Sequence, residues 1–164
     1  MKRAIALLFA IFMIMGLYTN AFADDTGSEW NPPSGIASIN SYYSDRFYVS
    51  ESSAKATSFT LTPSLTISSP SANKISVTAQ AHTNVIVDKL GFSSLHIQRW
   101  NGSSWVNVVS WYNQYKTNTS FFLKSGSTST ATSGAYYRAV CTFYAEKSGE
   151  TESVTVTTSY ITCK

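Results

Sequence analysis

From Arg46 to the last residue, apolar side chains recur with a period of two, and no stretch carries the 3.6-residue spacing of an amphipathic helix. Ile75, Val77, Ala79 and Ala81 alternate with Ser76, Thr78 and Gln80, which gives one dry face and one wet face. Segments rich in Val, Ile, Thr and Tyr sit between Pro70, Asn101-Gly102, Gly134 and Ser148-Gly149. This pattern predicts strands at 46–51, 58–68, 74–82, 91–100, 104–112, 118–124, 135–146 and 151–162. Pro63 cannot donate to a ladder, so the second of these is expected at an edge or a bulge. A chain of 164 residues holds one core of this kind and hardly two. The expected fold is therefore an all-β, antiparallel, two-sheet sandwich over 46–164.

The chain opens with Lys2 and Arg3, then an apolar run from Ala4 to Leu17, then Ala21-Phe22-Ala23. That is the order of a secretory signal peptide, expected at 1–23. The apolar run is short of the roughly 20 residues that span a bilayer. Residues 24–45, with Pro32, Pro33 and several serines, read as an irregular extension, which Trp30, Tyr42 and Tyr43 could pin to the domain. Twelve basic residues less Lys2 and Arg3 leave ten against nine acidic ones, so the mature chain is almost neutral. With no basic cluster, nucleic acid is excluded as a partner, and an anionic membrane surface is disfavoured. The tract Ser125-Gly126-Ser127-Thr128-Ser129-Thr130-Ala131-Thr132-Ser133 reads as a mobile loop.

Two resemblances add to this. Tyr137-Arg138-Ala139-Val140-Cys141-Thr142-Phe143-Tyr144-Ala145, followed by Gly149 and Val154-Thr155-Val156-Thr157, resembles the closing hairpin of a fibronectin type III-like domain. The likeness implies an immunoglobulin or fibronectin type III sandwich, with Tyr137 as its corner tyrosine and Ala139, Cys141, Phe143 and Ala145 facing inward. The early-strand tryptophan of that family has no counterpart here. The chain also resembles a family of small secreted Gram-positive bacterial proteins of unknown function. That likeness rests on Val87-Asp88-Lys89-Leu90, on Ile97-Gln98-Arg99-Trp100-Asn101-Gly102-Ser103-Ser104-Trp105 and on the closing hairpin. It implies export and brings no catalytic residues.

Two cysteines in an exported chain raise the question of a disulfide. A bridge between Cys141 and Cys163 would close a loop of roughly 20 residues and stabilise the fold by about 3 kcal/mol in the chain-entropy account. A turn near Ser148 sets Cys141 opposite Thr155, however, and leaves Cys163 about 26 Å further along the strand. Bonded sulfurs need Cα atoms within about 7 Å. Either the tail folds back to make the bridge, or Cys141 is a small core residue and Cys163 an exposed terminal one.

No nucleophile elbow, zincin helix, phosphate loop or calcium loop occurs. Glu146, Glu150 and Glu152 read as a solvated turn, and His82 and His96 with two thiols do not form a ligand set, so no catalytic residue, metal or cofactor is expected. The informative segment is aromatic. A hairpin across Asn101–Ser104 with a two- or four-residue loop puts Leu95, Ile97, Val106 and Val108 on one face. His96, Gln98, Trp100, Trp105, Asn107 and Trp111 then share the other, flanked by Arg138 and Tyr144 of the closing hairpin. Flat rings cover the apolar C–H faces of a sugar, and amide and imidazole groups reach its hydroxyls. Cross-strand aromatic pairs also stabilise hairpins by themselves. The function expected is a secreted, non-catalytic module that recognises an extracellular glycan, a cell-envelope component or a protein. The alternative is a membrane-active effector such as a bacteriocin or pore former, suggested by the Ser/Thr alternation in 58–68 and 151–162.

Overall fold

The structure, a computed structural model, describes residues 33, 42–44, 47–52 and 57–164. All of these belong to the unit Asn31–Lys164. The signal peptide expected at 1–23 and most of the extension expected at 24–45 lie outside the described residues.

Eight antiparallel strands form one sheet: β1 (Tyr43–Ser44), β2 (Phe47–Ser52), β3 (Leu61–Ser68), β4 (Ile75–Trp100), β5 (Trp105–Thr128), β6 (Tyr136–Lys147), β7 (Glu150–Thr158) and β8 (Ile161–Thr162). Its order is β1-β3-β4-β6-β7-β2, with β5 on the other edge of β4 and β8 alongside β6. The expected strands 74–82 and 91–100 are thus one strand of 26 residues, and 104–112 and 118–124 one of 24. The stretches between them, 83–90 and 113–117, pair with each other: Lys89 faces Thr117 and Leu90 faces Lys116.

So long a ribbon has to bend, and three irregularities bend it. Between the pairs His82–Phe121 and Val87–Thr119, residues 83–86 of β4 stand against Ser120 alone. Ser93 is an extra residue relative to β6, and Val108 an extra residue relative to β4. Each such bulge adds bend and twist to the ladder. Asn113 and Asn118 take φ of 53° and 52°, a left-handed conformation that asparagine tolerates better than most residues.

The bend is large enough for β5 to meet itself. A Cβ placed on Gly126 would lie 2.5 Å from the indole Cζ2 of Trp111. Fully extended, the segment from 111 to 126 would span about 50 Å, so the ribbon curls over its own inner face. The curl brings the start of β3 to the start of β7. Glu150 Oε2 accepts from Ser58 N at 2.8 Å and Glu152 Oε2 from Leu61 N at 3.1 Å. Two of the three carboxylates expected in a solvated turn therefore satisfy backbone donors at the start of β3 and in the segment just before it.

The inside of the curl is dry. Leu65, Ile67, Ile75, Leu90, Phe92, Leu95, Ile97 and Phe143 have no exposed surface. From β6, Tyr137, Ala139, Cys141, Phe143 and Ala145 all point inward, as the alternation expects. Tyr137 OH accepts the backbone N–H of Thr132 at 2.8 Å, which fastens the preceding loop to the core.

Four expectations change at this level. Ser125 to Thr128 of the low-complexity tract is strand, paired with Ile75 to Thr78, and Ala131 beyond it is buried. Small hydroxylated side chains suit that half-buried edge as well as they suit a loop. Tyr43–Ser44, assigned to the extension, pairs with Ser68 and Ile67 of β3. The turn at Ser148-Gly149 has positive φ at both residues, the geometry of a two-residue I′ turn, and it sets Cys141 opposite Val156 rather than Thr155. Both cysteines are free and buried. Cys163 is not exposed: the chain shifts after Thr158 so that β8 runs beside the start of β6, and Cys163 exchanges hydrogen bonds with Gly134 and Ala135. That places it six residues along β6 from Cys141, about 20 Å away, beyond disulfide reach.

Candidate functional site

The hairpin forms on a four-residue loop. Asn101 Oδ1 accepts the N–H groups of Ser103 and Ser104 at 3.0 and 2.8 Å, an Asx-type closure that fixes the turn. Trp105 then faces Trp100, Val106 faces Arg99 and Asn107 faces Gln98. The two indoles lie 5.4 Å apart at 57° across the strands.

On the outer face of β4, β5 and β6 a polar chain runs across these rings. Arg138 Nε donates to Gln98 Oε1 at 2.8 Å, and Gln98 Nε2 donates to Asn107 Oδ1 at 2.9 Å. The guanidinium of Arg138 sits 4.5 Å above the centroid of Trp105. Partial burial lowers its pKa, and a guanidinium remains a cation in proteins. Two tyrosines extend the row: Tyr160 lies 6.3 Å from Trp105, and Tyr136 lies 5.4 Å from Tyr160. His96 Nδ1 is 2.8 Å from Ser110 Oγ, and its ring meets Tyr112 edge-on at 5.5 Å. Burial lowers the pKa of His96, so the imidazole is neutral at pH 7.

Of the residues expected here, His96, Gln98, Trp100, Trp105, Asn107 and Arg138 come together. Trp111 does not join them. The bulge at Val108 shifts the register, so Trp111 faces Leu95 and packs on the core side against Gly126. Val108, expected in the core, is 42% exposed for the same reason. Tyr144 shares the outer face but stands at its far end, beside Tyr115 at 5.7 Å. Lys89 Nζ lies 4.1 Å over the Tyr115 ring and 5.5 Å from that of Tyr144. Tyr144 OH donates to Glu146 Oε2 at 2.8 Å. Its pKa is pushed up to about 12, by burial first and then by the hydrogen bond and charge of Glu146 and by Tyr115.

No family model, curated protein or solved structure matches this chain. The site is therefore read from its own chemistry. Among the described residues no group of three His, Cys, Asp or Glu side chains gathers in metal-ligating reach. Cys141, whose thiol burial pushes far above its usual range, is walled into the core and cannot act as a nucleophile at the surface.

Tyr136, Tyr160, Tyr115, Lys89 and Ser110 join these surfaces without having been expected there. Tyr136 was available from alternation, since it shares parity with Arg138 and Tyr144 on β6. Tyr160 was not, because the register offset between β7 and β8 around Ser159 breaks the period.

Proposed function

We propose that this chain is an exported, non-catalytic binding module that recognises sugar rings through the outer face of β4, β5 and β6. The observation that carries this reading is the combination of a ring row (Trp100, Trp105, Tyr160, Tyr136) with the hydrogen-bond chain Arg138–Gln98–Asn107 laid across it. Pyranose rings present apolar C–H faces and equatorial hydroxyls, and such a surface meets both at once. The guanidinium adds a fixed cation, which widens the range to acidic sugars and wall polymers. The curled sheet with Tyr137 tied to the loop before it supports an immunoglobulin or fibronectin type III-like class for the scaffold.

The test is sedimentation of the exported chain with insoluble polysaccharides and isolated cell walls, with tryptophan fluorescence read in parallel. Saturable retention with a spectral shift, lost in Trp105→Ala while the far-ultraviolet circular dichroism is unchanged, is the expected result. Retention by none of the polymers, or retention that Trp105→Ala leaves intact, overturns the reading.

A further inference from the structure

We infer that the ligand is a linear polysaccharide strand lying along β6 and engaging two separate ring clusters at once, rather than a single sugar or chain end. The inference rests on the binding-module reading above and adds the length and direction of the ligand.

The two clusters share one register along β6. β6 pairs with β7 without a break from Val140 to Lys147, and its inward residues alternate without fault from Tyr137 to Ala145. Its outward residues therefore all lie on one face. Arg138 stands at one end of that face, over Trp105. Tyr144 stands at the other, against Tyr115. Six residues of antiparallel strand separate them, about 20 Å. That distance exceeds any one sugar ring and matches a run of several.

The two ends are built alike. Each holds paired rings with a cation above one of them, Arg138 on Trp105 and Lys89 on Tyr115. Between them the face changes character. It carries the His96–Ser110 contact and the hydroxyl pair Thr142–Thr155 at 3.0 Å, groups suited to a sugar's hydroxyls and not to its flat face. Gly91 sits in the β4 row directly between Tyr144 and Tyr115. A Cβ there would fall 2.0 Å from the carbonyl oxygen of Gln114, so no side chain interrupts the two rings. A short ligand can use one cluster only. A strand that reaches both makes its second contact within the complex, where the effective concentration is high, and gains affinity by a factor on the order of 10².

The experiment titrates the exported chain with size-fractionated oligosaccharides from monomer to octamer, cello- and chito-oligosaccharides first and then fragments of any polymer that retains the protein. Affinity read by fluorescence is expected to rise steeply once the oligomer spans about 20 Å. Tyr144→Ala and Trp105→Ala should each return the octamer to the affinity of a short fragment, whereas Tyr144→Phe should keep the length gain. Affinity independent of length, with binding still lost in Trp105→Ala, overturns the two-cluster inference and leaves the binding-module reading standing. A length gain that survives in Tyr144→Ala also overturns it. Binding of no oligomer and retention by no polymer overturns both.

Discussion

Trp111→Ala and Trp105→Ala should separate stability from recognition, because the bulge at Val108 sends these two rings to opposite faces. Trp111 is half-buried, packed on the core and covering Gly126. Removing a fully buried tryptophan costs about 3–5 kcal/mol. Half burial brings this to about 2–3 kcal/mol, and the vacated space above Gly126 lies where the curl closes and so relaxes little. Trp105 has smaller claims on the fold. Its pairing with Trp100 is worth at most about 1 kcal/mol, and its contact with Arg138 about 0.5–1 kcal/mol. The expected order is thus Trp111→Ala clearly below Trp105→Ala in stability. The assay is urea unfolding followed by far-ultraviolet circular dichroism, since both variants alter the tryptophan signal itself. Polymer retention should show the reverse order, intact for Trp111→Ala and lost for Trp105→Ala. Equal stability for the native protein and Trp111→Ala would refute the curl as described.

Gly91→Ala sets a Cβ against the backbone of β5 rather than against a movable side chain. It should cost about 2–3 kcal/mol, read as a fall in Tm of at least about 5 °C; an unchanged Tm would contradict the close approach. With both cysteines free and buried, Ellman's reagent should titrate no thiol in the native protein and two after denaturation without reductant. A bridged chain would give none in either state. Tyr144 has a folded pKa of about 12, raised above the value near 10 of an unfolded chain. Its contribution to stability is therefore full below about pH 10 and is lost as pH rises through 12. Glu146→Gln removes the hydrogen-bonding carboxylate and should lower this pKa, as seen in a spectrophotometric alkaline titration.

The strand class of the fold was legible because period-two alternation is set by side chains alone. The tip of the hairpin was legible too, since Asn101-Gly102 marks its turn and pairs such as Gln98–Asn107 follow from loop length. What escaped was every place where one strand carries an extra residue. Val108 alternates in sequence as a core residue would, and no glycine or proline marks it as a bulge. The stretches 83–90 and 113–117 lack the clear alternation of the segments beside them, and only their pairing with each other reveals strand. Cys163 looked terminal and exposed because its burial depends on β8 crossing to β6. In the candidate site, Gln98, Trp100, Trp105 and Asn107 keep one unbroken register and share a face, whereas Trp111, one bulge further on, turns to the core side.

β5 has an outer edge, turned away from β4. Among the described residues nothing pairs with it, although the strand runs from Trp105 to Thr128. A long straight edge of free N–H and C=O groups is a template on which further chains can add as strands, the first step towards a fibril. Here the template is cut short. The bulge at Val108, the left-handed turns of the backbone at Asn113 and Asn118, and the corner at Ser120 break its direction four times, and an exposed lysine, Lys116, stands between the two asparagines. Replacing both asparagines with valine would straighten that edge, and light scattering of the concentrated variant would report the growth that follows. The kinks that let this ribbon close over its own core also keep it from growing into its neighbours.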